Sequence, residues 1–237
     1  MYPTTPESAV VLEAEKIMQD TMARYDPSHD AFHVQRVRRT SLALANAISP
    51  KPDLLVVELA ALLHDVLDKK YVSAEQAADP YAYFLPFFTS MAAKHDLDLI
   101  RDGRARQITQ IVDNVSWTTE TRLRKGGLWT EWHETCVELH CVQDADRLDA
   151  IGAFGIMRCA AYSAAVNRPL YIPADEPRVN ESAIQHFHDK LVLIRDRLKT
   201  AQGRALGERR HRVLLTFIAS VEDEYNPMLA AAAVSET

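Results

Sequence analysis

The sequence predicts an all-α fold, and three observations predict it. Only seven of the 237 residues are glycine, well under the ~7% usual in globular proteins, which disfavours turn-rich β architectures. Apolar residues recur every three or four positions through most of the chain, the period of a helix with one buried face. No stretch reads convincingly as a strand. The expected architecture is one compact domain over residues 1–237, a bundle of roughly seven to nine helices.

The first helix is expected over residues 7–24, with Val10, Val11, Ala14, Ile17, Met18 and Thr21 at helical spacing. Tyr25-Asp26-Pro27-Ser28 breaks it, because Pro27 does not suit a helix interior. A second helix over 30–48 places Phe32, Val34, Val37, Leu42, Leu44 and Ile48 among polar positions. Ser49-Pro50-Lys51-Pro52 ends it, and Asp53 is placed to cap the next. That third helix, from Asp53 to about Lys69, is apolar on almost every face and therefore central. Two further helices are expected over 81–95 and 103–115. A polar, glycine-bearing stretch follows over 116–131, then a long helical pattern from about Glu131 to Ala165. Residues 166–180, with Pro169, Pro173 and Pro177, read as a loop. Helices over 181–200 and 204–225 close the pattern. The stretches 116–131 and 166–180 are the expected substrate-selecting walls, since loops on a rigid scaffold often carry selectivity.

Composition removes several functions. The net charge of -6 argues against a nucleic-acid polymer as partner, because affinity for polyphosphate comes mainly from Lys and Arg. A small anion stays open if positive charge is gathered locally. No apolar run approaches the ~20 residues that span a bilayer. Residues Met1 to Glu7 lack the basic and apolar regions of a secretory signal. Three cysteines cannot form a disulfide framework, which fits a reducing compartment and a cytoplasmic location.

The chemistry concentrates in three phrases. His64-Asp65 sits in the apolar third helix, where an imidazole and a carboxylate are costly to bury without strong partners. Asp68 lies within one helical turn of both. His29 and His33 are four apart, with Arg36 three further on. Asp146 and Asp149 share a turn beside Val142, Ala145, Leu148 and Ile151. A competing set, His133, Cys136, His140 and Cys141, lacks a knuckle-type cysteine pair and puts His140 and Cys141 about 100° apart on a helix.

In order, the phrases are Ser28-His29-Asp30-Ala31-Phe32-His33-Val34-Gln35-Arg36-Val37, Glu58-Leu59-Ala60-Ala61-Leu62-Leu63-His64-Asp65-Val66-Leu67-Asp68-Lys69-Lys70 and Val142-Gln143-Asp144-Ala145-Asp146-Arg147-Leu148-Asp149-Ala150-Ile151-Gly152. The sequence resembles the HD-domain metal-dependent phosphohydrolases of the YedJ/YpgQ type. The likeness continues through Arg168-Pro169-Leu170-Tyr171 and the helix around His186-Phe187-His188-Asp189-Lys190-Leu191. Its core falls at about residues 25–150, with the helices of 181–225 packed on it.

The resemblance implies that His33, His64, Asp65 and Asp146 bind one divalent metal ion. Two imidazoles and two carboxylates form a mixed site suited to Mn²⁺, Fe²⁺, Co²⁺, Ni²⁺ or Zn²⁺; Mn²⁺ is the expected ion, with the others or Mg²⁺ as alternatives. Two-metal relatives take further histidines from the following helix, whereas Ile108 to Asn114 contains none. The resemblance makes Asp68 the catalytic residue that orients or deprotonates the attacking water. His29, Arg36, Lys69, Arg147 and Lys190 are the candidates for substrate phosphate, and Asp149 for holding an arginine or a ligand in place. The activity implied is hydrolysis of a small nucleotide, a triphosphate giving a monophosphate and pyrophosphate. A 5′-nucleotidase or phosphodiesterase at the same metal, and a non-catalytic nucleotide sensor, are the alternatives. A homodimer is left open.

Overall fold

The computed structural model describes residues 2–68, 72, 73 and 75–226. Among them are eleven α-helices and no strand, and no helix is long and apolar enough to cross a membrane. The chain divides into two compact units, Met1–Asp146 and Arg147–Thr237.

In the first unit, α1 (Thr5–Met22) opens on a capping box in which Thr4 and Glu7 satisfy each other's backbone N–H groups, the usual device for a helix's orphan donors. A 3-10 turn, Pro27–His29, leads to α2 (Ala31–Asn46). Asp53 accepts from the Leu55 and Val56 N–H groups to start α3 (Leu54–Leu63), whose ten residues are all buried. α3 packs against α2, α1 and α5 (Arg104–Asn114), and α4 (Pro80–His95) covers α5 and α1.

α3 ends at Leu63, short of the expected Lys69. His64 Nδ1 donates to the Ala61 carbonyl oxygen at 2.8 Å. The next backbone bonds, Val66 N–H to Leu63 and Asp68 N–H to Asp65, span three residues. The chain therefore tightens into a turn. His64, Asp65 and Asp68 stand on that turn rather than on one face of a long helix.

The stretch 116–131 also differs from expectation, because it contains α6 (Trp117–Lys125) and the start of α7 (Glu131–Thr135). Ser116 caps α6 by accepting from Thr119 N–H. The one buried residue of α6 is Glu120, held by Arg124 Nε at 2.8 Å. A helix that buries a carboxylate instead of an apolar stripe gives no periodic signal. The expected long helix of 131–165 is divided into α7, α8 (Val137–Asp149) and α9 (Gly152–Ala165). Cys136 adopts extended backbone between α7 and α8. Gly152, at φ +73°, turns the chain between α8 and α9 in a conformation that favours glycine.

In the second unit α9 is followed by the loop expected at 166–180, whose last residues begin a 3-10 turn, Val179–Glu181. The helix expected over 181–200 is α10 (Ala183–Asp189) plus a 3-10 segment, Leu191–Arg197. α11 (Ala201–Tyr225) packs on that segment and on α9.

Candidate metal centre

The segment between α1 and α2 is built from short polar side chains that fix its backbone. Asp26 accepts from Ser28 N–H at 2.8 Å, and Ser28 Oγ lies 2.6 Å from His29 Nδ1. Asp30 caps α2 by accepting from His33 N–H at 2.8 Å. His33 thus enters the protein in the first turn of α2, fully buried.

Three elements converge there: the start of α2, the turn after α3, and the last turns of α8, which carry Asp146. His33 Nε2 is 3.3 Å from Asp65 Oδ2 and 3.7 Å from Asp146 Oδ1. His64 Nε2 is 3.4 Å from Asp65 Oδ1 and 4.0 Å from Asp146 Oδ1. The two imidazoles stand edge to face with centroids 5.5 Å apart. Donors that share an ion at about 2.1 Å lie about 3 Å apart at right angles and about 4.2 Å apart when opposite. The observed spacings fall in that range. His64 Nε2 is a buried atom that makes no hydrogen bond of good geometry, an arrangement that calls for a further partner. A cation at the centre supplies one, so the residues fit the group.

The electrostatics agree. Burial alone lowers the His64 pKa, but the charge of the adjacent Asp65 carboxylate, with Asp146 behind it, raises it from 6.5 to about 9. Burial works against ionised Asp65, yet His64 and His33 hold its carboxyl well below the usual carboxylate range. A place that draws a proton this strongly also draws a metal ion.

A second group adjoins the first: donor atoms of His29, Asp65 and Asp68 lie within 4.8 Å of one another. Asp68 is half-buried, as is Arg36 one turn along α2 from His33. Lys69 lies outside the described residues. In the second unit Arg147 is 3% exposed and donates to the Arg197 carbonyl at 2.9 Å. Asp149, also buried, faces Arg158 at 3.4 Å. Lys190 caps the end of α10.

Two features had no signal in the sequence. Tyr25, in the break before His29, donates its hydroxyl to the Val66 carbonyl at 3.3 Å. Burial, then the charges of Asp68 and Asp65, push its phenol up to about 12. Buried Glu58 of α3 receives Arg38 Nε of α2 at 2.7 Å and the Tyr2 hydroxyl. Arg38 also reaches Glu15 of α1 at 3.0 Å, so one polar network ties three helices together.

The competing set does not assemble. His133 caps the Thr130 N–H through Nδ1 and meets Asn114 Oδ1 at 3.1 Å through Nε2. His140 Nε2 is 2.9 Å from the His133 carbonyl oxygen. Burial pushes the Cys136 thiol up to about 11 and the Cys141 thiol up to about 12, away from the thiolate that metals need.

No protein-family model matches the chain. The uncharacterized protein YpgQ of Bacillus subtilis (strain 168) is 32% identical over 215 residues, which cover 90% of this chain and 93% of YpgQ. A crystal structure of B. subtilis YpgQ in complex with ADP superposes with a TM-score of 0.65 at 26% identity, covering 93% of this chain and 97% of that one. The crystal structure of an HD-superfamily hydrolase from Bacillus thuringiensis gives a TM-score of 0.66 at 25% identity, with 93% and 98% covered.

Proposed function

The chain belongs to the YpgQ-type branch of the HD-superfamily hydrolases, and from that membership we propose that it is a metal-dependent hydrolase of nucleoside triphosphates, releasing a monophosphate and pyrophosphate. The observation that carries the reading is the meeting of two imidazoles and two carboxylates at 3.3–4.0 Å. The nucleotide part is supported by the ADP bound in a crystal structure of B. subtilis YpgQ.

In this reading His33, His64, Asp65 and Asp146 hold one divalent cation of the kind that mixed nitrogen and oxygen donors take, and Mn²⁺ is the one we propose. When bound, the cation supplies a Lewis acid and a lowered pKa for an attacking water. Asp68 accepts a hydrogen bond from that water, orients it towards phosphorus and takes its proton. His29, Arg36 and Lys69 bring donors and positive charge against the phosphate oxygens as negative charge moves to the leaving group. Local cations are needed because the whole chain carries -6. Lys190 and Arg147 are the further candidates for phosphate, and Arg147 is buried and already donates to a carbonyl.

The test is metal analysis of purified protein, followed by an Mn²⁺ assay against nucleoside mono-, di- and triphosphates and cyclic nucleotides with product identification. Pyrophosphate with a monophosphate is the expected result. Inorganic phosphate from monophosphates alone, or opening of cyclic nucleotides alone, overturns the pyrophosphohydrolase reading in favour of a nucleotidase or phosphodiesterase. Nucleotide binding with no turnover makes the protein a sensor.

A further inference from the structure

We infer that Tyr25 is a positioning residue for Asp68: its hydroxyl tethers the turn after α3 to the α1–α2 segment and so holds the Asp68 carboxylate at the candidate centre. The inference rests on the reading of Asp68 given above.

Within the turn that bears Asp65 and Asp68, Val66 N–H bonds the Leu63 carbonyl at 3.2 Å and Asp68 N–H bonds the Asp65 carbonyl at 3.1 Å. Bonds that span three residues have poorer geometry than those of an α-helix. The Tyr25 hydroxyl reaches Val66, which stands between Asp65 and Asp68, from 41 residues away in sequence. Its own end is anchored. Tyr25 N–H bonds the Met22 carbonyl at the end of α1, and Asp26 and Ser28 fix the residues that follow. The tether therefore joins the segment after α1 to the turn after α3. It does so beside the group in which His29, Asp65 and Asp68 offer donor atoms within 4.8 Å of one another. A phenylalanine fills the same half-buried space, so the hydroxyl's contribution is positional. A carboxylate that must hold a water in line tolerates little drift, since a misplacement of about 1 Å can cost about 100-fold in rate.

The experiment is a double-mutant cycle of Tyr25→Phe and Asp68→Asn, with amide hydrogen exchange of the peptide covering 64–68. The substrate is the best-turned-over nucleotide of the panel, with Mn²⁺. Tyr25→Phe is expected to lower kcat about tenfold or more, leave KM within about twofold, and keep its bound Mn²⁺. Exchange of the 64–68 amides is expected to quicken about tenfold as the turn opens more often. In the Asp68→Asn background the added loss from Tyr25→Phe is expected to vanish, because both act through one carboxylate. An equal loss in both backgrounds, or unchanged exchange, overturns the inference. Wild-type turnover by Tyr25→Phe beside an inactive Asp68→Asn overturns the Tyr25 role alone. Wild-type turnover by Asp68→Asn, or a panel with no turnover, overturns the Asp68 reading and this role with it.

Discussion

His64 and Asp65 are neighbours in sequence whose side chains face each other, with Nε2 and Oδ1 3.4 Å apart, and each sets the other's protonation. With its pKa raised from 6.5 to about 9, His64 contributes stability that is complete below about pH 6.5 and lost as pH rises through 9. Asp65, held below its ordinary value, contributes stability that is complete above about pH 4 and lost as pH falls. Protein stripped with EDTA is therefore expected to melt highest between roughly pH 4 and 6.5, with Tm falling towards pH 9. A flat profile over that upper limb sinks the argument. A metal ligand must be a neutral imidazole, so Mn²⁺ added at about pH 7.5 displaces a proton. Calorimetry in buffers of different ionisation heat reads that release.

The four converging side chains make separable predictions. His33→Ala and Asp146→Asn are each expected to weaken Mn²⁺ by about 100-fold or more, since losing mere supporting partners of metal ligands costs about 10- to 100-fold. A 100-fold loss is about 2.7 kcal/mol of the stabilisation that a saturating ion gives. It appears as the disappearance of the Mn²⁺-induced rise in Tm. Retention of that rise in both variants places the ion elsewhere.

The Arg38–Glu58 pair joins α2, which carries His33, to α3, which precedes His64. Arg38→Met leaves the buried Glu58 carboxylate without its cation and is expected to cost about 3 kcal/mol. Adding Glu58→Met removes that stranded charge and should recover most of the loss. Urea titrations of the two single variants and the double measure this. A single-variant cost below about 1 kcal/mol means that Tyr2 and water satisfy Glu58 unaided.

The helices that bury an apolar stripe were legible in the sequence: α1, α2, α4 and α5 fall within a few residues of their expected ends. The resemblance to HD-domain hydrolases implied that His33, His64, Asp65 and Asp146 meet, and the structure brings these side chains together. What escaped did so for definite reasons. α6 buries Glu120 rather than leucines, so its sequence carries no apolar period and reads only as a polar stretch. The end of α3 coincides with His64 Nδ1 donating to the Ala61 carbonyl oxygen, a side-chain event invisible to periodicity. Tyr25 has no motif, and its partner Val66 contributes only a backbone oxygen. The break between α8 and α9 did leave a trace, Gly152 and Gly155, inside an otherwise helical run.

That trace is testable. A Cβ built on Gly155 lies 2.3 Å from the Ala150 carbonyl oxygen, and a backbone atom cannot swing aside as a flexible side chain can. Gly155→Ala is expected to destabilise the protein by about 3 kcal/mol or more. Gly127 is the contrast. Its φ is +66° but a Cβ there meets nothing within 4 Å, so Gly127→Ala costs only about 1–2 kcal/mol of backbone strain. Equal losses in chemical denaturation contradict this account of the α8–α9 corner.

Asp68 is distinct from the four donors, because it stands beside Asp65 with His29 rather than among the buried imidazoles. Asp68→Asn keeps the size of the side chain and an acceptor oxygen but removes its capacity to take a proton. Bound Mn²⁺ is therefore expected to stay near the wild-type content, while turnover of the nucleotide falls at least about 100-fold. The loss should lie in kcat, with KM little changed, because the missing interaction belongs to the transition state. Metal loss in parallel with activity makes Asp68 a ligand instead. Undiminished turnover means that another group orients the water.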